Sequence, residues 1–250
     1  MKSAAKVAGA KTGHHEFAFG CLKNASLFSN LADKEVACFN DATLARSYKK
    51  GQILYLQEEP AKFFYVICGG WVKLFHTTQE GEEIVVDMLT AGDIVGESSI
   101  FEQGCHTSSA QIIEDSHLLS IPTDLLKEQI RQNPVLALGM LSSMSSHHRR
   151  HYSEIALNAM QSAPQRVGCF LLRLSPPGKK KDVVLHLPYD KTLIAYTLGM
   201  KGATFSRSLN ILRQKTGLRL KGSRVEIDSV ERLAQFVYGP LATQFMPEGS

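Results

Sequence analysis

Apolar residues near the C-terminal end of the chain repeat at helical spacing in two short runs, residues 190–198 and 202–212. In the first run Ile194 and Leu198 are four positions apart, which places them on one face of a helix. Gly199 tolerates the left-handed geometry that a tight turn after a helix requires. The apolar positions of the second run fall at i, i+4 and i+7, namely Phe205, Leu209 and Leu212. The pattern predicts two helices joined by a tight turn.

Polar and basic residues occupy the other face of the second predicted helix. A helix-turn-helix can place this second helix in the major groove of DNA, whereas an ordinary helical hairpin would leave the same face only solvated. In the next segment, residues 218–227, apolar and polar residues alternate on both sides of Gly222. This pattern predicts a hairpin that forms a wing. Arg219 is expected near the phosphate backbone together with the other basic residues of the wing. The predicted DNA-binding residues are Lys201, Ala203, Thr204, Ser206, Arg207, Lys221 and Arg224.

Between about residue 43 and residue 121 the apolar pattern changes to short runs rich in Ile, Val, Phe and Tyr, which are typical of strands. Turn signals separate the runs, among them Gly69-Gly70 and Ala91-Gly92-Asp93. Many short strands with glycine at the corners predict a closed barrel or a double sheet. The predicted strands are Gly51–Leu56, Phe63–Cys68, Trp71–His76, Glu83–Leu89 and His117–Ile121.

One long helix is predicted from Val135 to Gln161, which contains no proline. A stripe that advances by three and four positions along it suits pairing with a second helix, and a second copy of the chain would make a two-fold dimer. The alternative is that the stripe only packs on the barrel of its own chain. The predicted dimer-interface residues are Met140, Met144, His148, His151 and Ile155.

Further helices are predicted around these elements, and with them a division of the chain. The additional helices are Leu22–Phe39, Thr123–Gln132, Gln165–Leu174 and Ser229–Tyr238, with a loop over residues 175–181. The predicted domains are a disordered tail (1–15), a barrel (16–132), a long helix suited to dimerisation (133–162) and a domain that holds the helix-turn-helix and its wing (163–250).

Charge is distributed unevenly along the 250 residues, whose formal net charge is +4. Residues 163–226 contain 13 lysines and arginines against 3 aspartates and glutamates, whereas the rest of the chain contains 15 against 21. A basic segment joined to an acidic one indicates that one part meets a polyanion such as DNA and that the other part has a different task.

The remaining composition argues against several classes of protein. The five cysteines are scattered without a CxxC pair, so we expect reduced thiols, no zinc site and no disulfide framework. No apolar run reaches the roughly 18–20 residues of a membrane span. No nucleophile elbow, P-loop, HExxH or dinucleotide motif is present. We therefore expect a cytoplasmic protein that is not an enzyme, with no catalytic residue, no metal ligand and no membrane partner.

The order of the predicted parts, an acidic barrel, a long helix and a basic winged helix-turn-helix, resembles the Crp/Fnr superfamily of bacterial transcription regulators over about residues 28–236. The motifs that carry the resemblance are Lys50-Gly51-Gln, Phe64-Tyr-Val-Ile-Cys-Gly-Gly-Trp-Val-Lys, Gly92-Asp-Ile-Val-Gly-Glu and Thr204-Phe-Ser-Arg207. The resemblance implies an α+β fold: an N-terminal cyclic-nucleotide-binding-type β-roll, a long dimerisation helix and a C-terminal winged helix-turn-helix. It also implies a homodimer on a palindromic operator in double-stranded DNA, with RNA polymerase as a further partner.

The predicted recognition helix departs from the family at one position. The family commonly has Glu-Thr-x-x-Arg, in which the glutamate accepts from cytosine and the arginine donates to guanine. Ala203 stands at the glutamate position, whereas Thr204, Ser206 and Arg207 remain. Arg207 is expected to contact guanine O6 and N7, and the preferred operator is expected to differ from the common half-site.

The predicted effector pocket departs from the family as well. Cyclic-nucleotide members use Gly-Glu for the ribose and an arginine, followed by serine or threonine, for the phosphate. Thr107 stands at the arginine position, so a cyclic phosphate lacks its charged partner and cyclic AMP is disfavoured. An iron–sulfur cluster is disfavoured because no group of N-terminal cysteines is present. The predicted pocket residues are Gly96, Glu97, Ser98, Thr107 and Ser108.

Haem remains a candidate group because Thr204-Phe-Ser-Arg207 is most similar to the Dnr-type branch, which senses nitrogen oxides. Histidine is a common axial ligand of haem iron, and the sequence does not single out one of His14, His15, His76, His106, His117, His147, His148 and His151. The leading hypothesis is a dimeric transcription regulator gated by a small effector or a haem-bound gas. The alternatives are a cyclic-nucleotide-responsive regulator and a metabolite-binding module whose basic domain binds a protein partner.

Overall fold

The chain forms two compact units, Met1–His151 and Tyr152–Ser250. A computed structural model describes residues 16–39, 42–78, 80–101, 104–142, 145, 161–176, 178–188 and 191–239, without the side chains of Ser98 and Phe101. The domain boundaries that the sequence predicts at residues 16, 133 and 163 stay predictions.

The N-terminal unit is built on a six-stranded antiparallel sheet. Its described elements are α1 (residues 16–24), α2 (Asp33–Ala37), β1 (Leu44–Tyr48), β2 (Ile53–Tyr55), β3 (Phe63–Thr77), β4 (Glu83–Thr90), β5 (Ile94–Val95), α3 (Glu97–Phe101), β6 (Ser109–Pro122), α4 (Thr123–Gln132) and α5 (residues 134–142). The strand order is β1-β6-β3-β4, with β2 paired to β6 and β5 paired to β3. The predicted β-roll is confirmed, and α4 has the predicted bounds.

Strand β3 bends at Gly69-Gly70 without ending there. Its register against β6 shifts on both sides of Gly69, and Gly70 has a φ of +96°. A Cβ atom on Gly70 would lie 2.1 Å from Ser116 Oγ, which accepts a hydrogen bond from the Trp71 amide at 3.1 Å. The prediction of a turn between two strands is therefore wrong, because the two glycines form a bulge within one strand.

The apolar residues of the sheet form two clusters, and the bulge changes which cluster a given position of β3 joins. One, the helix cluster, joins strand residues to α1, α4 and α5; it includes Leu22, Phe64, Val66, Leu119, Ile121, Leu126 and Met140. The other, the strand cluster, consists of Tyr55, Ile67, Val72, Val95, Ala110, Ile112 and Leu118. Alternate residues of a strand face opposite sides, so Phe64 and Val72 would share a side in an unbroken strand. The irregular register at the bulge sends them to different clusters.

The N-terminal helical segment consists of two helices, so the prediction of one helix over Leu22–Phe39 is wrong. Helix α1 ends at residue 24, and α2 does not begin until Asp33. The chain turns between them through backbone hydrogen bonds, such as that from the Phe28 amide to the Ala25 carbonyl at 3.0 Å. This turn brings Phe28 into the helix cluster with no exposed surface.

The C-terminal unit combines four helices with a three-stranded sheet in the described residues. These elements are α6 (Ala163–Arg173), β7 (Lys181–His186), α7 (Lys191–Thr197), α8 (Gly202–Thr216), β8 (Arg219–Lys221), β9 (Arg224–Ser229) and α9 (Val230–Tyr238). The sheet order is β7-β9-β8. The predicted helix-turn-helix and hairpin wing are confirmed, whereas sequence analysis missed β7 and assigned its first residue, Lys181, to a loop.

Helix α5 has a buried face and an exposed apolar face. Leu136 and Met140 are each 2% exposed and belong to the helix cluster, so Met140 packs within its own chain. The opposite face exposes three apolar side chains, Val135 (63%), Leu138 (66%) and Leu141 (57%). The other predicted interface residues, Met144, His148, His151 and Ile155, lie outside the described residues. In the part of the chain that the structure describes, no helix is long and apolar enough to cross a membrane.

Candidate functional site

Helix α8 is fixed in the C-terminal unit by one apolar face. Phe205, Leu209 and Leu212 are at most 3% exposed, as their i, i+4, i+7 spacing predicts. The helix begins after Lys201, whose backbone is extended, and ends at Gly217, which has a φ of +76°. Glycine adopts this left-handed geometry without strain, so the sequence sets the length of the helix.

The opposite face of α8 carries the side chains that the sequence assigns to base reading. Ala203, Ser206 and Arg207 are exposed, and Thr204 is half-buried. Arg207 Nε donates to the Ala203 carbonyl oxygen at 3.3 Å, and Arg207 Nη2 donates to Thr204 Oγ1 at 3.4 Å. Because both acceptors are neutral, they orient the guanidinium without cancelling its charge.

Two of the three basic wing residues are paired with carboxylates of strand β9. Arg219 Nε lies 3.2 Å from Glu226 Oε2, and Arg219 Nη2 lies 2.7 Å from Asp228 Oδ1. Arg224 Nε lies 2.8 Å from Glu226 Oε1. These pairs were not predicted from the sequence. Lys221, exposed at the end of β8, makes no ion pair with the described residues and is the wing cation best placed for a phosphate.

Lys191 connects the helix-turn-helix to the wing. Its Nζ donates to the Gly222 carbonyl oxygen at 2.8 Å, from the first residue of α7 to the turn between β8 and β9. The Leu187 amide donates to the Ser223 carbonyl oxygen at 2.9 Å. These bonds fix the spacing between the wing turn and the helices. No pattern in the sequence indicates this role of Lys191.

The predicted effector residues lie on two neighbouring segments of the N-terminal unit, the β5–α3 turn and the loop before β6. Gly96 has a φ of +84°, and a Cβ atom there would lie 3.2 Å from His106 Cε1 and 3.7 Å from the Tyr55 hydroxyl. The glycine therefore allows the turn to approach the two rings closely. Since Thr107 follows His106 in the chain, the structure brings the two halves of the predicted pocket together.

The polar groups around this turn include one perturbed carboxyl. Burial raises the pKa of Glu97, and the charge of Asp93 acts in the same direction. Thr107 is exposed and Ser108 is half-buried. The side chain of Ser98 is outside the described part of the structure. An ionised carboxylate repels an anion, and even a protonated Glu97 would supply no positive charge for an anionic ligand.

His106 fills the space beside Gly96. It is 4% exposed and stacks on Tyr55 with ring centroids 3.4 Å apart and an interplanar angle of 7°. Its Nδ1 lies 3.3 Å from Ser99 Oγ, and its backbone amide donates to the Glu59 carbonyl oxygen at 2.9 Å. Burial lowers the pKa of His106, and the Glu59 charge acts in the opposite direction. A neutral imidazole is therefore part of the packed interior.

Lys73 is the buried cation of the same sheet, and its charge is already compensated. Its ammonium pairs with the carboxylate of Glu83 and lies 4.4 Å from the centroid of the Phe75 ring. It is therefore committed to Glu83 rather than available for a phosphate. Among the described residues, no group of three or more His, Cys, Asp or Glu side chains could hold a metal ion.

Comparison with known families gives matches to both units. A model of the cyclic nucleotide-binding domain matches residues 45–133, and a model of the Crp-like helix-turn-helix domain matches residues 165–236. The first match covers the β-roll, and the second covers α7, α8 and the wing. The chain belongs to the Crp/Fnr family.

Relatives within the family extend over most of the chain. The CRP-like cAMP-activated global transcriptional regulator of Mycobacterium tuberculosis is 27% identical over 217 residues, which are 86% of this chain and 97% of that protein. A crystal structure from Ruegeria pomeroyi DSS-3, named as a candidate cyclic nucleotide binding protein, is 30% identical with a TM-score of 0.74. It matches 89% of this chain and 98% of its own.

The crystal structure of DNR from Pseudomonas aeruginosa is also similar. It has 26% identity and a TM-score of 0.52, and the match covers 87% of this chain and 96% of that one. A cAMP-activated regulator and DNR thus resemble this Crp/Fnr member to a similar degree. The assignment to the Dnr-type branch stays a prediction.

The lowered pKa of His106 predicts that the stability of the N-terminal unit depends on pH. As the pH falls, the unfolded chain takes up a proton at about 6.5 before the folded chain does. The His106 contribution to the free energy of unfolding is therefore fully present above about pH 6.5 and is lost as the pH falls toward the folded pKa. His106→Gln should weaken this loss between about pH 7 and pH 5.5. Urea denaturation followed by the fluorescence of Trp71, the single tryptophan, measures it.

Glu59→Gln is the matched variant, and it should change the pH dependence of stability in the opposite direction. Removing the Glu59 charge should lower the folded pKa of His106 further, so the unfolding free energy should fall more steeply below about pH 6.5. The amide still offers the Leu56 amide an acceptor in place of Glu59 Oε2, which now accepts at 3.1 Å. Equal pH profiles for the parent and His106→Gln would contradict the assignment.

Proposed function

We propose that this Crp/Fnr family member is a homodimeric DNA-binding transcription regulator whose β-roll responds to a small effector. The observation that carries the proposal is the exposed face of α8, on which Arg207 is oriented by neutral acceptors. The wing turn, tied to α7 through Lys191, is held beside the same helix pair. The proposal includes a cytoplasmic location, RNA polymerase as a further partner and the domain boundaries that the sequence predicts.

The proposed contacts divide into base reading and backbone binding. Arg207 reads guanine through O6 and N7, since its fork-shaped guanidinium matches these two acceptors. Thr204 and Ser206 donate to neighbouring base edges or phosphates, and Ala203 contacts a thymine methyl rather than cytosine N4. Lys201, Lys221 and Arg224 bind phosphates, which supplies affinity without sequence preference. Arg224 first exchanges its Glu226 partner for phosphate, which costs little because the pair is partly exposed to solvent.

The exposed apolar face of α5 supports the dimer in the proposal. Val135, Leu138 and Leu141 follow one another at three-residue spacing and are each more than half exposed. A second copy of the chain, related by a two-fold axis, would cover this face and continue it along the long helix that the sequence predicts. The dimer contact on the described part of α5 is thus assigned to Leu138 and its neighbours rather than to Met140.

The proposed effector is not a cyclic nucleotide. Thr107 offers a neutral hydrogen bond where a guanidinium would be needed, His106 fills the space beside Gly96, and Lys73 is paired with Glu83. Haem-bound nitric oxide is the effector that the Dnr resemblance supports. A Soret band in the absorption spectrum of protein produced with haem available would select it.

The DNA-reading role of Arg207 has a direct test. Arg207→Ala should weaken binding to the preferred operator by about 1–3 kcal/mol and flatten the base preference at one position in each half-site. Arg207→Lys keeps the charge but loses the fork, so it should lose base preference while retaining most of the affinity for unrelated DNA. Fluorescence anisotropy at fixed salt, with operators altered at each base pair, measures both quantities.

Lys221→Ala is the matched backbone variant. It should weaken binding to all DNA sequences about equally and reduce the slope of log affinity against log salt concentration by roughly one. If the basic unit binds a protein instead of DNA, the parent should show no such steep salt dependence for DNA. Equal operator affinities of Arg207→Ala and the parent would refute the base-reading assignment.

The dimer contact is tested with Leu138→Glu. The substitution removes two apolar side chains from a two-fold contact and places two carboxylates there, which costs roughly 3 kcal/mol or more and raises the dimer dissociation constant on the order of 100-fold. Gln132→Glu, with the same charge change at an exposed position of α4, should leave dimerisation unchanged. Sedimentation velocity decides it, and an undiminished Leu138→Glu dimer would exclude the proposed seam.

The effector assignment predicts weak binding of cyclic AMP and cyclic GMP. Calorimetry should give no binding tighter than about 10 μM for either nucleotide, because the phosphate finds no charged donor. Thr107→Arg should create measurable binding if the rest of the pocket has the family shape. Tight binding by the parent would show that another group replaces the arginine and would favour the cyclic-nucleotide-responsive alternative.

A further inference from the structure

Two cysteines that are far apart in the sequence meet in the N-terminal unit. Cys21 lies on α1 and Cys68 lies on β3, 47 positions later, and their thiols are hydrogen-bonded to each other. Both side chains are half-buried and pack against the helix cluster. The pair is therefore reachable by a small solute while it is held in contact by the fold.

Backbone hydrogen bonds of the surrounding segments fix this contact. Next to Cys68, the Ile67 amide donates to the Asp93 carbonyl oxygen at 3.1 Å, and the Gly92 amide donates to the Ile67 carbonyl oxygen at 2.9 Å. After α1, the Ser26 amide donates to the Gly92 carbonyl oxygen at 3.2 Å. The segment that follows α1 and the strand that carries Cys68 thus attach to the same turn, which holds the two cysteine-bearing elements near each other.

The other cysteines have different surroundings. Cys38 and Cys105 are exposed, and Cys38 Sγ donates to the Lys34 carbonyl oxygen at 3.3 Å. Cys169 belongs to the C-terminal unit and donates to Gln161 Oε1 at 3.4 Å. Exposure alone would direct an oxidant to Cys38 and Cys105, whereas proximity favours a bond between Cys21 and Cys68.

The contact between the two thiols makes one of them easier to ionise than the other. The hydrogen bond with Cys68 lowers the pKa of Cys21, and burial acts against this effect. The same hydrogen bond raises the pKa of Cys68, with burial acting in the same direction. Thiolates are the nucleophiles in thiol chemistry, so the member of the pair that ionises first is the attacking sulfur and the other is its resolving partner.

We propose that Cys21 and Cys68 are a redox modification site that a peroxide converts to a disulfide. The thiolate of one cysteine attacks one peroxide oxygen, the O–O bond breaks, and a sulfenic acid forms with release of one water once the leaving hydroxide is protonated. The sulfur of the other cysteine then attacks the sulfenic sulfur, the S–O bond breaks, and the second water leaves with the proton of that thiol. Two thiols lose two electrons in total, and the peroxide gains them.

The proposed disulfide acts on a segment that leads to the predicted effector pocket. It joins α1 to β3 beside the turn at Gly92, which continues through β5 to Gly96 and Glu97. Cross-linking two segments far apart in the sequence restricts the unfolded chain, so oxidation should also stabilise the N-terminal unit. The modification does not depend on the identity of the effector or on DNA binding.

The test uses the full chain, reduced and then treated with stoichiometric hydrogen peroxide. The titratable thiols of the denatured protein should fall from the five of the sequence to about three, as one intramolecular disulfide requires. Trypsin cleaves after Lys11, Lys23, Lys62 and Lys73, so peptides 12–23 and 63–73 should appear joined and separate on reduction. Oxidation should raise the thermal midpoint by several degrees.

Matched variants separate the pair from the exposed thiols. Cys38→Ser combined with Cys105→Ser should still form the joined peptides at the parent rate, whereas Cys21→Ser and Cys68→Ala should each abolish them. Linkage of Cys38 or Cys105 in place of the pair would overturn the proposal. So would five remaining thiols in the parent, a readout that does not depend on how the variants fold.

Discussion

The pairing of β3 with β6, bent at Gly70, is the constraint on which the N-terminal unit depends. These two strands pair with each other, and every other described strand of the sheet pairs with one of them. A side chain at position 70 would collide with Ser116, whose Cα lies 2.7 Å from the site of a Cβ. The bend sends Phe64 toward the helices and Val72 toward the strand cluster.

Elements with a strong local signal could be predicted from the sequence, and those that depend on tertiary contacts could not. The spacing of Phe205, Leu209 and Leu212 predicts α8 correctly, because the helical period of these residues matches their burial in the structure. Gly69-Gly70 was misassigned because glycine is equally suited to a turn and to a bulge, and only the opposing Ser116 distinguishes them. Strand β7 escaped prediction since its apolar residues, Val183 and Leu185, form too short an alternation.

In the candidate sites, too, some features follow from a local sequence pattern and others depend on tertiary contacts. The exposed face of α8 follows from helical periodicity, and the approach of Gly96 to the loop before β6 agrees with the family pattern. The pairing of Arg219 with Glu226 was available in principle, because the two-residue turn at Gly222 sets them opposite each other. The stacking of His106 on Tyr55 and the contact of Cys21 with Cys68 depend on long-range packing, which no local pattern encodes.

The bond from Lys191 to the Gly222 carbonyl holds the wing turn at a set spacing from the helix-turn-helix. Lys191 is the first residue of α7, which packs against α8, so the bond positions the wing turn relative to α8 through α7. A fixed spacing between α8 and the wing turn matches one distance between a base edge and a phosphate. DNA whose groove has a different width would therefore bind less tightly, even when its bases are correct. The DNA preference of the protein would then include the shape of the duplex, and Lys191 would contribute to it through its bond within the protein.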